Sequence, residues 1–205
     1  MIRLFFGSPG CGKTTTAVRN IRKWQKLKPR KQRYNEYYTN FDCALSKKVD
    51  LTHLGDWTLP PHSHLTVDEA GIEYNNRKYK TLPQETIAWF KLHRHYKVDV
   101  DFYSQSWEDT DVTILRLADE YWHVRKLGIF TFCRKVRKFV TIKKDDYQII
   151  SGYEYVSLLK RFLPWPFHVK SWYIFLRRPY FKYFDSWITP DTPIKTFDEE
   201  ENPAE

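Results

Sequence analysis

Residues 7 to 14, Gly7-Ser8-Pro9-Gly10-Cys11-Gly12-Lys13-Thr14, satisfy G-x-x-x-x-G-K-[ST] and follow directly on a short apolar run, Ile2 to Phe6. A strand that ends in such a turn and restarts as a helix has few ways to fold. The glycines let the backbone wrap so that successive N–H groups and the helix N-terminus point at a polyphosphate, where the helix dipole favours negative charge. On this pattern Lys13 reaches the β- and γ-phosphates, the Thr14 hydroxyl completes a Mg²⁺ shell, and Gly7, Ser8, Pro9, Gly10, Cys11, Gly12, Lys13, Thr14 and Thr15 form the nucleotide cradle. The fold class that follows is α/β: a P-loop NTPase with a mostly parallel sheet flanked by helices and nucleotide at the carboxyl ends of the strands.

Two further stretches give the loop a reaction. Leu65-Thr66-Val67 is a strand-like run ending in Asp68-Glu69. After a phosphate loop, Asp68 is placed to hold Mg²⁺ and Glu69 to polarise the water that attacks the γ-phosphate. Paired acids at a strand end are common as solvated turn residues, so it is the preceding loop that makes the pair informative. Val98 to Tyr103 alternates apolar and acidic residues and predicts a strand ending at Ser104-Gln105, with Gln105 as the candidate γ-phosphate sensor. In ATPases of the catalytic-glutamate type the acid-bearing strand does not adjoin the first strand, and the Gln105 strand is expected between them. Asp68-x-x-Gly71 also fits the D-x-x-G of GTPases, but no N-K-x-D occurs anywhere in the chain. ATP is therefore the expected nucleotide.

The helix after the loop keeps Thr14, Ala17, Val18, Ile21, Trp24 and Leu27 at helical spacing and should stop before Pro29. Its other face and the following loop carry Arg19, Arg22, Lys23, Lys26, Lys28, Arg30, Lys31 and Arg33 without an acid among them. Solvated dipole partners and DNA contact explain this face equally well. Over the whole 205 residues the net charge is +9, which fits nucleic acid or an anionic membrane as partner. The three cysteines, Cys11, Cys43 and Cys133, form no C-x-x-C pair and fit a reducing compartment. Cys11 reads as a small loop filler, although electropositive surroundings could activate its thiol. His62-x-His64 and His93-x-His95 lack the further ligands a zinc site needs, and His93 falls on the apolar face of a helix expected from Pro83 or Gln84 to Lys97.

Later elements are a short helix carrying Val112, Leu115 and Arg116, a strand at Glu120 to Val124, and a hairpin around Gly128 whose second strand interleaves bases. A helix is expected over Tyr153 to Phe162. Beyond it the chain mixes aromatics and bases as far as Trp187, a composition that could stack nucleobases, lie at a bilayer interface or dock on the core. The expected organisation is an ATPase domain at 1–145, an aromatic and basic C-terminal appendage at 146–190, and a disordered acidic tail at 191–205 containing Asp198-Glu199-Glu200-Glu201.

The phosphate loop, Tyr38-Thr39-Asn40, Val67-Asp68-Glu69, Leu92-His93-Arg94-His95 with Asp99, Ser104-Gln105 and Leu115-Arg116 together resemble the zonular occludens toxin (Zot)-like family, which includes the filamentous phage gene I assembly ATPases. The resemblance covers about residues 1 to 140. It implies an oligomeric ATPase at the host inner membrane that drives export and assembly of single-stranded DNA virions, with phage DNA or virion assembly proteins as partners. Motors of this kind often complete each site with an arginine from a neighbouring copy, and Arg94 and Arg116 are the rival fingers. Members typically continue into a transmembrane helix. No apolar run here approaches the roughly 18 residues that a span requires, so the expected location is the host cytoplasm, peripheral to the membrane at most. Two alternatives stay open: a nucleoside or nucleotide kinase, which would not need Glu69, and a non-enzymatic DNA-binding module with a vestigial loop.

Overall fold

A computed structural model describes residues 1–51, 54–68, 84–107, 112–143, 148–161 and 171–184. The elements in chain order are β1 (Ile2–Phe6), α1 (Lys13–Gln25), β2 (Glu36–Thr39), β3 (Lys47–Lys48), β4 (Ser63–Val67), α2 (Gln84–Leu92), β5 (Asp99–Ser104), α3 (Val112–Leu117), β6 (Glu120–Leu127), β7 (Phe130–Lys143), β8 (Gln148–Tyr155) and β9 (Trp172–Leu176). They form a nine-stranded sheet ordered β3-β2-β4-β5-β1-β6-β7-β8, with β9 also on β7. Pairings from β3 through β6 are parallel and those of β7 are antiparallel. The acid-bearing strand β4 is separated from β1 by β5, as the catalytic-glutamate arrangement requires.

The two faces of the sheet follow from period-two alternation. Ile2, Leu4 and Phe6 pack with Leu65, Val67, Val100, Phe102, Trp89 and Phe90 on the face covered by α2 and α3. Phe5 points the other way, stacked on Tyr103 at 4.7 Å, into a second cluster with Ala17 of α1 and Cys133 and Tyr173 of the C-terminal strands. Every residue of β4 and β5 is buried, as expected of central parallel strands.

Among those buried residues are charges. The acidic half of the β5 alternation faces α1, where Asp101 accepts two hydrogen bonds from the Arg3 guanidinium, Nε at 2.5 Å and Nη2 at 3.0 Å. Arg3 Nη2 also lies 3.2 Å from His64 Nε2, and its guanidinium covers the Trp24 ring at 4.7 Å. The second histidine of the His62-x-His64 pair thus belongs to a buried ion-pair network. Burial holds the His64 imidazole below its ordinary value, against the pull of Asp101, which leaves Nε2 free to accept from Arg3. Asp99 serves a similar purpose nearer the strand start, accepting from Tyr34 Oη at 2.7 Å and pairing with Arg33 at 3.1 Å. The helix expected to reach Lys97 ends at Leu92, and Lys97 is left-handed at φ +57°; His93, in the turn just after the helix, is buried all the same, and its Nδ1 donates to the Phe90 carbonyl at 2.7 Å.

The C-terminal third departs most from the sequence reading. Residues 153–155 continue strand β8, and only Leu158–Arg161 turns helically, as a 3-10 segment, in place of the helix expected over Tyr153 to Phe162. Cross-strand pairing decides this: β-branched and aromatic side chains beside β7 gain more from a sheet edge than from a short isolated helix. β8 and β9 occupy successive stretches of one β7 edge, since the Lys135 amide donates to Ser171 and its carbonyl accepts from Val156. The boundary expected after residue 145 therefore falls between two paired strands.

Of the possibilities for the aromatic segment, the described part takes the last and docks on the core. Arg19 lies over the rings of Tyr173 and Phe175 at 4.5 and 5.0 Å, and Arg22 over those of Tyr183 and Tyr180 at 5.1 and 5.8 Å. Part of the basic face of α1 is thus spent on cation–π contacts within the chain. Among the described residues no helix is long and apolar enough to cross a membrane. The acidic tail at 191–205, the stretch 162–170 and the residues around Asp109 lie outside the described residues.

Candidate nucleotide site

The phosphate loop leaves β1 at the carboxyl end of the parallel strands. Gly7 donates to the Ser104 carbonyl of β5 at 3.2 Å, so the loop starts level with the end of that strand. α1 then begins at Lys13, immediately after Gly12, whose φ of +98° is a left-handed conformation that disfavours a side chain. Ser8, Pro9 and Gly10 are exposed at the rim, while Cys11, Lys13 and Thr15 are buried. The Lys13 ammonium folds back over the loop and donates to the carbonyls of Gly7 at 2.9 Å and Ser8 at 3.3 Å. It thereby stands over the cradle that a phosphate chain would fill.

Thr14 and Asp68, fifty-four residues apart in sequence, meet across the site. The Thr14 hydroxyl donates to Asp68 Oδ2 at 2.5 Å. These are the hard oxygen donors that Mg²⁺ takes, from the two positions the sequence assigns to it. Asp68 is itself held by Asn40 at the tip of β2. Asn40 Nδ2 donates to the Asp68 carbonyl at 2.9 Å, and the Asp68 amide donates to Asn40 Oδ1 at 2.8 Å. This reciprocal pair fixes the peptide from which the carboxylate projects. Asn40 enters the sequence reading only as the end of Tyr38-Thr39-Asn40 in the family resemblance, with no role assigned; its strand proves to neighbour β4.

Gln105 follows β5 directly and is exposed at the same end of the sheet. Glu69 lies outside the described residues. Cys11 is buried, and burial pushes its thiol above the ordinary value despite the Lys13 ammonium nearby, which fits the filler reading. Arg94 and Arg116 are not brought to this loop. Arg94 lies at the opposite end of the sheet, beside an open pocket lined by Met1, Tyr34, His62 and Asp99, and its guanidinium bonds to Asp119. Arg116 is exposed in the last turn of α3, just before β6 begins at that same far end.

Two residues outside every recognised motif do touch the loop. Thr131 of β7 donates from Oγ1 to the Cys11 carbonyl at 3.3 Å. Arg177, directly after β9, donates from Nη1 to the Gly10 carbonyl at 3.2 Å and from Nη2 to the Gly128 carbonyl at 3.0 Å. No local pattern could reveal them, because their place depends on β9 pairing with β7.

A parallel sheet with β5 between β1 and the acid-bearing strand, and a glycine loop capped by its own lysine, define a P-loop NTPase fold. The zonular occludens toxin (Zot) family model matches residues 1–186, and the chain belongs to that family. Among solved structures it is similar to the N-terminal domain of zonular occludens toxin from Neisseria meningitidis, at 19% identity and a TM-score of 0.55, covering 79% of this chain and 97% of that one. Further matches are the genome packaging NTPase B204 of Sulfolobus turreted icosahedral virus 2 in complex with ATP-gammaS, at 10% identity, TM-score 0.44 and coverage of 73% and 95%, and Thermomonospora curvata EccC, at 12%, 0.44, and 62% and 31%. No curated protein sequence matches the chain.

Proposed function

We propose that this chain is a Mg²⁺-dependent ATPase whose turnover powers phage single-stranded DNA export, packaging or virion assembly. The observation that carries the reading is the convergence of Thr14 and Asp68 beside the Lys13-capped loop. In this reading Lys13 exchanges the Gly7 and Ser8 carbonyls for β- and γ-phosphate oxygens, and Thr14 and Asp68 hold the metal. Bound Mg²⁺ would neutralise charge on the phosphate oxygens. Glu69 then accepts a proton from the attacking water, and Gln105 orients that water or contacts the γ-phosphate. The partners proposed are phage DNA or virion assembly proteins and further copies of the chain, at the cytoplasmic side of the host inner membrane.

Steady-state ATP hydrolysis by wild type, Lys13→Ala and Glu69→Gln, each with and without single-stranded DNA, tests this. Wild type should turn over, and both variants should lose about 10²-fold or more in rate, the usual scale for a positioned acid–base group. Phosphoryl transfer to a nucleoside with negligible hydrolysis would replace this reading by a kinase. DNA affinity that falls with salt but ignores ATP and Lys13→Ala would replace it by a binding module.

A second measurement follows from the Asn40 pair. Asn40→Ala leaves both metal ligands in place but frees the peptide that aims one of them. The Mg²⁺ concentration for half-maximal turnover should rise about 10- to 100-fold, as when partners behind a metal ligand are removed. An unchanged Mg²⁺ requirement would show that Asn40 does not position Asp68.

A further inference from the structure

A phosphate loop works through N–H groups turned to the phosphates, so a peptide that lends its N–H must hold its carbonyl outward. Two of the loop glycines are left-handed, Gly10 at φ +70° and Gly12 at φ +98°. Glycine peptides in such a turn have little steric resistance to flipping. A flip of the peptide after Cys11 would put a carbonyl oxygen into the cradle and withdraw the Gly12 N–H, turning attraction for phosphate into repulsion, and a flip after Gly10 would break the turn that the Cys11 N–H closes on the Ser8 carbonyl at 3.2 Å. The outward carbonyls of these two consecutive peptides, Gly10 and Cys11, are the ones that Arg177 and Thr131 bind.

The contact is close as well as polar. A Cβ added to Gly12 would lie 2.4 Å from Thr131 Oγ1 and 3.0 Å from Arg177 Cδ, so both side chains press on the loop where α1 begins. Arg177 is in turn fixed from behind: its Nη2 donates to the Gly128 carbonyl and its amide to that of Ile129. The loop is thus tied to the β6–β7 turn through one guanidinium, and that guanidinium is placed by β9, itself anchored on α1 through Tyr173, Phe175 and Arg19.

We propose that Arg177 and Thr131 are positioning residues of the nucleotide site, which lock the peptides after Gly10 and Cys11: the first keeps the Cys11 N–H in the turn it closes on the Ser8 carbonyl, and the second keeps the Gly12 N–H turned to the phosphates. The C-terminal strand then completes the site within the same chain. The proposal rests on the nucleotide-binding reading of the loop, and the tests below separate the two.

Arg177→Met keeps the aliphatic stem and removes both donors; Thr131→Val keeps the shape and removes one. In nucleotide-free protein, amide exchange over residues 8–13 should quicken by roughly tenfold in Arg177→Met while β1 and β5 keep their protection. Titrations with Mg-ADP should show affinity weakened about 10-fold or more for Arg177→Met, the scale of a charged donor, and about 3- to 10-fold for Thr131→Val. Arg177→Lys should recover part of the loss, and KM for ATP should rise more than kcat falls. Unchanged exchange and unchanged ADP affinity would overturn the proposal. So would a large fall in kcat with affinity intact and no rescue by lysine, because Arg177 would then act on the phosphates directly. If wild type and Lys13→Ala alike fail to bind Mg-ADP, the nucleotide reading fails while the exchange experiment still decides the lock.

Discussion

Asp101→Ala should leave the chain unfolded or close to it, with a loss of about 3–5 kcal/mol against a total stability of about 5–15 kcal/mol for an ordinary domain. The reason is what the substitution leaves behind. Asp101 is fully buried and answers the Arg3 guanidinium with both oxygens, while His64, also fully buried, lies on the same cation. Without the carboxylate an arginine with no ionised partner sits under α1, and His64 cannot supply the missing charge. Replacing both partners with apolar residues removes the cause, so Arg3→Met with Asp101→Leu should be far less destabilised than Asp101→Ala alone. Chemical denaturation of the three proteins measures this. A double variant as unstable as the single one would mean that the pair matters for its shape and not for its charge.

The same network sets a pH signature. Burial pushes the Asp101 carboxyl up, but the Arg3 guanidinium beside it outweighs burial and holds it below the usual carboxylate value. A group whose folded pKa is depressed contributes stability above its unfolded pKa, about 3.9 for Asp, and loses it as pH falls through the folded value. Wild type should therefore lose stability steeply below about pH 4, and the double variant should lose that part of the slope.

What the sequence disclosed and what it hid follow one physical division. Features that depend on consecutive residues were legible: the glycine loop between Phe6 and Lys13, the α1 stripe of Ala17, Val18 and Ile21, and the strand ends at Val67 and Ser104. The strand order could also be inferred, because an acid pair and a Gln at two strand tips have meaning only if both strands stand near the loop. Features that depend on pairing between distant segments were not legible. Tyr153 to Tyr155 carries no mark that separates a sheet edge from a helix until β7 lies beside it. Arg177 reads as one base among many until β9 delivers it to Gly10, and Asp101 reads as half of an alternating pattern until Arg3 is found beneath α1. The basic face of α1 invited a ligand, and part of it is answered inside the chain by Tyr173, Phe175, Tyr180 and Tyr183.

Arg94 poses the opposite problem, a residue with a marked pattern whose place excludes its own loop. β1 spans five residues, roughly 17 Å at the rise of a strand, and Arg94 stands beyond its amino end while the loop leaves its carboxyl end. If Arg94 is a finger it acts on a neighbour, and Arg94→Ala should lower kcat by about 10³–10⁵. Stability should barely change, because the pair with Asp119 is exposed and worth about 1 kcal/mol or less. Mixing supplies the decisive arm. Lys13→Ala copies have a dead loop and a live arginine, and Arg94→Ala copies have the reverse. In a head-to-tail assembly of equal parts, about one site in four joins a live loop to a live arginine, so two inactive proteins should together recover up to about a quarter of wild-type turnover. Arg116→Ala in the same scheme tells the rivals apart. Full activity in Arg94→Ala, or mixtures that stay inactive, would return Arg94 to the ion pair it makes with Asp119 and leave the finger to be sought at the loop's own end of the sheet.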